Sequence, residues 1–323
     1  MKILVRCDSG SHIGNGHVMR CVTLCSYIHD HNITFISKDF KNNIIHKIQY
    51  ETIVIHVDPD VGEHAKSYVN YEDWLGESHQ DDFIKVENLI NGNFYDLLIV
   101  DSYSLDYRWE KLMRFYCKKI LVIDDLYNYH DCDYLINYNN TDETLYSHLI
   151  PPSCKIFSNL IIREEFYNYK MKYRDFIYNV IVNMGTCPEN IKEYVVKTLL
   201  KTQKKYLLPF DIILIGFKYE DLQSYNFVSS GTLKELYDEC DLCIGSAGVS
   251  AYERLVMKVP SINVCVVENQ KCNKKVINIY DVKDLEKEIK YYCDNYTEII
   301  KKIKTQTYLN DIMDVIKIID SQL

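Results

Sequence analysis

Apolar and polar positions alternate along the chain in two successive series of strand-like and helix-like runs. In the first half, short apolar runs predict strands at Lys2–Arg6, Ile33–Ser37, Thr52–Val57, Asp96–Asp101, Lys119–Ile123 and Tyr134–Asn137. Apolar residues spaced by three and four predict helices over Gly16–Asp30, Gln80–Ile90 and Tyr107–Phe115. Pro151-Pro152 interrupts the pattern, and a connecting segment runs to about Tyr173. A second series follows, with strands at Tyr178–Asn183, Asp211–Ile215, Leu242–Ile244 and Ser261–Val267. Its helices are predicted at Pro188–Thr202, Leu233–Glu239 and Val249–Met257, and the tail from Val282 to Leu323 reads as mostly helical. Strands alternating with helices imply parallel sheets covered on both faces. The expected architecture is α/β: two Rossmann-like, doubly wound domains facing a cleft, residues 1–160 and 161–323, with the terminal helices packing back on the first.

In doubly wound sheets, ligands bind beyond the carboxyl ends of the strands, where strand order reverses. Three stretches fall at such ends: the loop of residues 7–16, Asp101-Ser102-Tyr103, and Asp124-Asp125. The first carries Gly10, Gly14 and Gly16 and leads into a helix with His17 at its mouth. Glycine allows positive φ and close backbone approach. A helix N-terminus offers unpaired N–H groups and a partial positive charge to an anion. That charge also disfavours a second proton on the ring, which suits His17 to accept one. A purely structural strand-to-helix turn with an incidental histidine fits the pattern equally. His12 in the same loop reads as a solvated loop residue, and Cys7 as packing.

At 323 residues with 47% hydrophobic and 26% charged positions, the chain has the composition of a globular two-domain protein. A formal net charge of −9, spread along the chain, argues against a nucleic-acid partner. No apolar run reaches the ~18 residues of a membrane span, and the N-terminus has no signal-peptide pattern. Twelve cysteines with no secretory signal suggest free thiols and a cytoplasmic location. Cys240 and Cys243 form one C-x-x-C without a second pair at zinc-like spacing, so buried thiols are expected and no metal.

The stretch Gly245-Ser246-Ala247-Gly248-Val249-Ser250 follows a strand and opens a helix. It matches neither G-x-G-x-x-G nor a P-loop, yet small residues at a helix mouth suit an anion. Glu253 lies about two turns past Ser246 on the same helix face, about 10 Å along the axis. That reach compares with the span from a diphosphate to its ribose hydroxyls. A capped helix carrying a solvated glutamate is the competing reading.

Together these pieces resemble the UDP-2,4-diacetamido-2,4,6-trideoxy-β-L-altropyranose hydrolase family of pseudaminic acid biosynthesis. The resemblance rests on Arg6-x-Asp8, Ile13-Gly14-x-Gly16-His17-x-x-Arg20, Trp74-Leu75-Gly76 with Asp82, Asp101-x-Tyr103, Asp124-Asp125, Ile162-Arg163-Glu164-Glu165-Phe166, Ser246-Ala247-Gly248, Glu253 and Asn269-Gln270, in that order. It implies the B-type glycosyltransferase fold and cofactor-free, metal-independent release of UDP from a UDP-linked diacetamido-trideoxy sugar. It implies that His17 activates the water that attacks the anomeric carbon with inversion, that Asp8 orients the imidazole, and that Tyr103 touches the sugar. It places Arg6, Gly14, Gly16, Arg20, Arg163, Gly185, Thr186, Ser246, Ala247, Gly248, Glu253, Asn269 and Gln270 on the substrate. The partner is the nucleotide sugar, without nucleic acid or membrane, and the protein is expected to be a monomer.

Two departures from the family pattern bear on these expectations. Met184-Gly185-Thr186-Cys187 stands where the family has a Gly-Gly-x-Asp turn, and the methionine is expected to narrow the approach to the β-phosphate. The segment after Gln270 is shortened. A UDP-sugar glycosyltransferase of the same fold, or a catalytically inactive UDP-sugar-binding protein, are the alternatives.

Overall fold

A computed structural model describes residues 1–58, 61, 71–139, 142–167, 171–185, 187–226, 230–266, 278–308 and 311–322. Thr186, Asn269 and Gln270 lie outside the described residues. Contacts divide the chain into two compact units, Met1–Ile161 with Asp311–Leu323, and Ile162–Asn310.

The first unit is built on seven strands: β1 (Lys2–Cys7), β2 (Asn32–Lys38), β3 (Glu51–Ile55), β4 (Tyr95–Asp101), β5 (Cys117–Ile123), β6 (Tyr134–Ile136) and β7 (Lys155–Phe157). All pair in parallel, in the order β3-β2-β1-β4-β5-β6-β7. Helices α1 (Gly16–Ser26), α2 (His79–Ile90) and α3 (Tyr107–Met113) connect the strands. The strand period of two sends Ile3, Val5 and Cys7 into one core and Leu4 into the core on the other face. Arg6 shares the face of Leu4 and so meets α2. The chain winds outward from β1 through β2 to β3, then crosses back to β4 on the other side of β1. The reversal point therefore lies beyond the ends of β1 and β4, where such folds bind ligands.

The second unit begins with α4 (Glu164–Tyr167) and pairs β8 (Asn179–Asn183), β9 (Asp211–Ile215), β10 (Gln223–Tyr225), β11 (Leu242–Ser246), β12 (Ser261–Val264) and β13 (Asn278–Ile279). Its order is β10-β9-β8-β11-β12-β13, again parallel, with the reversal at β8 and β11. Helices α5 (Glu189–Tyr206), α6 (Ser230–Asp238), α7 (Val249–Val256) and α8 (Leu285–Thr305) complete it. The last helix, α9 (Ile312–Asp320), returns to the first unit, where Ile312, Val315, Ile316 and Ile319 enter the core beneath α1.

Three short edge strands, β7, β10 and β13, escape a periodicity reading because two or three residues carry no period. The first helix ends at Ser26 rather than Asp30, which adopts a left-handed conformation with φ 61°. Met184 is wholly buried in the core of the second unit. It therefore does not narrow an approach to Gly185, contrary to the sequence expectation. Cys7, Cys240 and Cys243 are buried and unpaired, as expected of packing thiols. Among the described residues no helix is long and apolar enough to cross a membrane.

Candidate active site

The loop after β1 is closed by Gly14, whose amide donates to the Gly10 carbonyl at 2.7 Å, with Gly14 at φ 83°. This turn delivers His17 to the first turn of α1, beside the end of β4. There Nδ1 of His17 lies 2.6 Å from Oδ1 of Asp101, the last residue of that strand. An ionised carboxylate only accepts, so Nδ1 carries the proton and Nε2 presents a lone pair. The His17 ring makes no other hydrogen bond among the described residues.

Asp101 is held from behind by Arg20, one turn further along α1. Arg20 donates from Nε to Oδ2 (2.7 Å) and from Nη2 to Oδ1 (2.6 Å), a bidentate pair. Its Nη1 reaches Asp125 at the end of β5 (2.7 Å) and the Tyr138 hydroxyl (3.0 Å). Burial disfavours the Asp101 carboxylate, but Arg20 and His17 more than offset this and hold its pKa at about 2. The buried group of Asp101, Arg20 and Asp125 pairs two carboxylates with one guanidinium. Tyr103 donates to Asp125 Oδ2 (2.8 Å) and sets its ring edge-on to the imidazole, 4.5 Å between centroids. Tyr71 and Trp74 continue this aromatic wall, and His12 packs against Trp74 and Phe40.

These distances correct four expectations. Asp8 does not orient His17: its Oδ1 accepts from Arg6 (2.6 Å) and from the Lys38 amide (2.7 Å), and Asp101 takes the orienting place. Arg6 is fully buried between Asp8 and Asp82 (2.9 Å) and has no donor face for a substrate. Arg20, also buried, spends its guanidinium on Asp101 and Asp125 rather than presenting it to a substrate. The Trp74-Leu75-Gly76 stretch with Asp82 acts inside the same framework, since buried Lys38 bonds the Leu75 carbonyl (2.7 Å), Asp82 (3.0 Å) and Glu77 (2.8 Å). His12 is half-buried, bonded through Nε2 to the Trp74 carbonyl (3.3 Å), rather than solvated. A Cβ built on Gly16 would meet nothing within 4 Å, so that face of the helix mouth is open.

In the second unit the loops after β8 and β11 adjoin. Gly185, at φ 58°, faces Ser246, whose Oγ would lie 3.9 Å from a Cβ placed there. Gly248 caps α7 in an extended conformation. Ala247 is fully buried and its amide donates to the Val264 carbonyl (3.0 Å), so neither its side chain nor its N–H is open to a ligand, against expectation. Glu253 is held through Oε1 by Arg163 (2.8 Å from Nη2, 3.2 Å from Nε), and Arg163 stacks over Phe166 at 4.3 Å. The Arg163-Glu164-Glu165-Phe166 stretch therefore aims Glu253. No cluster that could hold a metal ion occurs among the described residues.

No family model matches the chain. A curated relative does: the UDP-2,4-diacetamido-2,4,6-trideoxy-β-L-altropyranose hydrolase of Campylobacter jejuni is 27% identical over 284 residues, covering 84% of this chain and 93% of the relative. The chain resembles that hydrolase over most of its length. Solved structures share the fold at low identity. MurG of Acinetobacter baumannii superposes with TM-score 0.66 at 12% identity over 99% of both chains. A UDP-N-acetylglucosamine 2-epimerase of Listeria monocytogenes gives 0.64 at 9% over 99% and 96%. Spinosyn rhamnosyltransferase gives 0.63 at 10% over 99% and 100%. The two parallel-sheet units have the B-type glycosyltransferase fold that the hydrolase resemblance implies.

Proposed function

We propose that the protein hydrolyses a UDP-sugar, with the UDP-linked 2,4-diacetamido-2,4,6-trideoxy altrose named for its relative as the substrate. The observation that carries this reading is the 2.6 Å bond between His17 Nδ1 and Asp101 at the strand-reversal point. In this reading Nε2 takes a proton from water as the oxygen attacks the anomeric carbon opposite the departing UDP, inverting that centre. The C1–O bond to the diphosphate breaks, its electron pair leaves with UDP, and the water oxygen becomes the new anomeric hydroxyl. Asp101 fixes the tautomer and stabilises the imidazolium, the role of the third member in a catalytic triad. A positioned base of this kind contributes about 10²–10⁴-fold.

The second unit supplies the nucleotide side: Gly185, Ser246 and Gly248 at the diphosphate, and Glu253 at the ribose hydroxyls. Diphosphate is a good leaving group, so N–H dipoles at its oxygens suffice without a strong acid. Thr186, Asn269 and Gln270 belong to this nucleotide side by resemblance alone. Tyr103 and the aromatic wall beside His17 meet the sugar. The protein works as a cytoplasmic monomer without metal or cofactor.

The test is release of UDP from that sugar nucleotide by the purified protein, with the free sugar's anomer followed by proton NMR. Release without any acceptor, lost in His17→Asn, supports hydrolysis. Release that depends on an added acceptor hydroxyl supports the glycosyltransferase reading, which the transferases sharing the fold favour. UDP binding without release supports an inactive binding protein.

A further inference from the structure

Three arginines are buried in this protein, and one differs from the other two. Arg6 is neutralised by Asp8 and Asp82, and Arg20 by Asp101 and Asp125. Arg254, on α7, is fully buried, and among the described residues no carboxylate forms an ion pair with it; beside it lie the buried Cys243 thiol, whose pKa it helps to lower, and the Tyr237 hydroxyl. Its Nη2 donates to the Ser246 carbonyl (2.9 Å) and Asn263 Oδ1 (2.7 Å), and its Nη1 to Ser250 Oγ (3.3 Å), all neutral acceptors. Its Nε has no acceptor. The adjacent carboxylate, Glu253, turns instead to Arg163.

A buried cation without a carboxylate partner is costly to keep in a fold. The structure makes room for this one. Gly245 on β11 lies against the guanidinium so closely that a Cβ there would stand 2.7 Å from Cζ and from Nη2. The charge is therefore fixed under the same loop, Gly245 to Ser250, whose upper side faces Gly185 and whose end opens α7. Helix mouth, glycine turn and a guanidinium without a carboxylate partner all place positive potential at one spot.

We propose that Arg254 is the built-in counter-charge of an anion subsite on this loop, acting on a diphosphate through the loop rather than by touching it. The inference rests on the UDP-sugar reading for the identity of the anion, but not for its existence. The ligand class is a multiply charged phosphate, and the binding contribution scales with its charge. A clamp that merely shapes the loop would affect charged and uncharged ligands alike.

The two roles separate in Asn263→Asp. That change keeps an acceptor at the same position, 2.7 Å from Nη2 in the native protein, while placing a neutralising carboxylate against Arg254. Calorimetry with UDP, UMP and inorganic pyrophosphate, and ligand-observed NMR with uridine, would follow binding to the intact chain. The expected result is UDP affinity down about tenfold, UMP down less, and uridine unchanged, since a nearby charge pair in protein surroundings is worth about that factor. Arg254→Met should repeat the pattern and Arg254→Lys should largely preserve binding. Equal losses for UDP and uridine, or none in Asn263→Asp, overturn the proposal. Should Arg254→Met fail to fold, the Asn263→Asp comparison decides alone. If native protein binds pyrophosphate in the Arg254-dependent way but not UDP, the anion subsite stands and the UDP-sugar reading falls. If it binds neither, both fall.

Discussion

Asp101, the last residue of β4, reaches His17 in the first turn of α1, 84 positions away in sequence, and the contact is 2.6 Å. The imidazole therefore has one tautomer and one direction before any ligand arrives. Asp101→Asn should leave the ring in place but allow the other tautomer. UDP release is expected to fall about 10²–10⁴-fold, with KM nearly unchanged. A steady-state comparison with His17→Asn checks this, and a loss confined to KM would refute the orienting role.

Gly16 opens α1, and a Cβ there meets no protein atom. Alanine in a helix is favoured over glycine by up to about 1 kcal/mol. Gly16→Ala should therefore melt at the same or a slightly higher temperature. If the open space belongs to the substrate, turnover nevertheless falls. A variant as active as the native protein would mean that the ligand lies elsewhere.

Glu253 accepts both Arg163 bonds on one oxygen. Glu253→Gln should weaken UDP more than pyrophosphate, because the ribose contact is lost and the diphosphate contact kept. Arg163→Met should act in the same direction with a smaller effect. Parallel titrations with the two ligands measure the difference.

Acid should unfold the first unit through its buried carboxylates. Arg6 and Lys38 overcome the effect of burial and hold Asp82 at about 2, as Arg20 and His17 do for Asp101. Each group binds fewer protons folded than unfolded between its ordinary value near 4 and about 2. The associated stability, on the order of a few kcal/mol per carboxylate, is complete above that ordinary value and lost as pH falls through about 2. Urea midpoints from pH 7 down to pH 2.5 should drop steeply below pH 4. A flat profile would mean that these pairs do not stabilise the fold.

The alkaline side rests on His130. Burial opposes its charge, but Glu110 at 2.7 Å and Asp124 at 3.8 Å outweigh burial and raise its pKa to about 10. Its contribution is full below the ordinary histidine value near 6.5 and is lost as pH rises through about 10. His130→Gln should remove that limb from the stability profile, as read by thermal melts between pH 6 and 10.5.

Much of this was legible along the chain. Apolar runs bounded by Asp8, Asp101 and Asp124 mark strands because a buried parallel strand must be apolar until it emerges at the sheet edge. Gly14 and His17 mark a strand-to-helix turn because closing it needs a positive φ. The spacing from Ser246 to Glu253 suggests one shared helix face, but Ser246 closes β11 and α7 begins only at Val249, so Glu253 alone lies on the helix. Edge strands of two or three residues left no such mark. The terminal helices are expected to pack back on the first domain; α9 belongs to that unit, whereas α8 stays with the second.

Local sequence determined which residues stand at strand ends and helix mouths, since backbone period and turn geometry act over a few neighbours. Only the tertiary structure decided who pairs with whom. Arg6, Arg20 and Arg254 look alike in sequence, as polar positions in apolar surroundings. Two meet carboxylates brought from distant segments by the sheet order, Asp82 for Arg6 and Asp101 with Asp125 for Arg20, and among the described residues the third forms no carboxylate ion pair. Asp8 and Asp101 both end strands next to the glycine loop, but the pleat sends Arg6 and Asp8 into the network of Lys38 and Asp82 and leaves Asp101 for His17. Charge compensation in a buried site depends on distances between segments far apart in the chain, which the order of residues alone does not set.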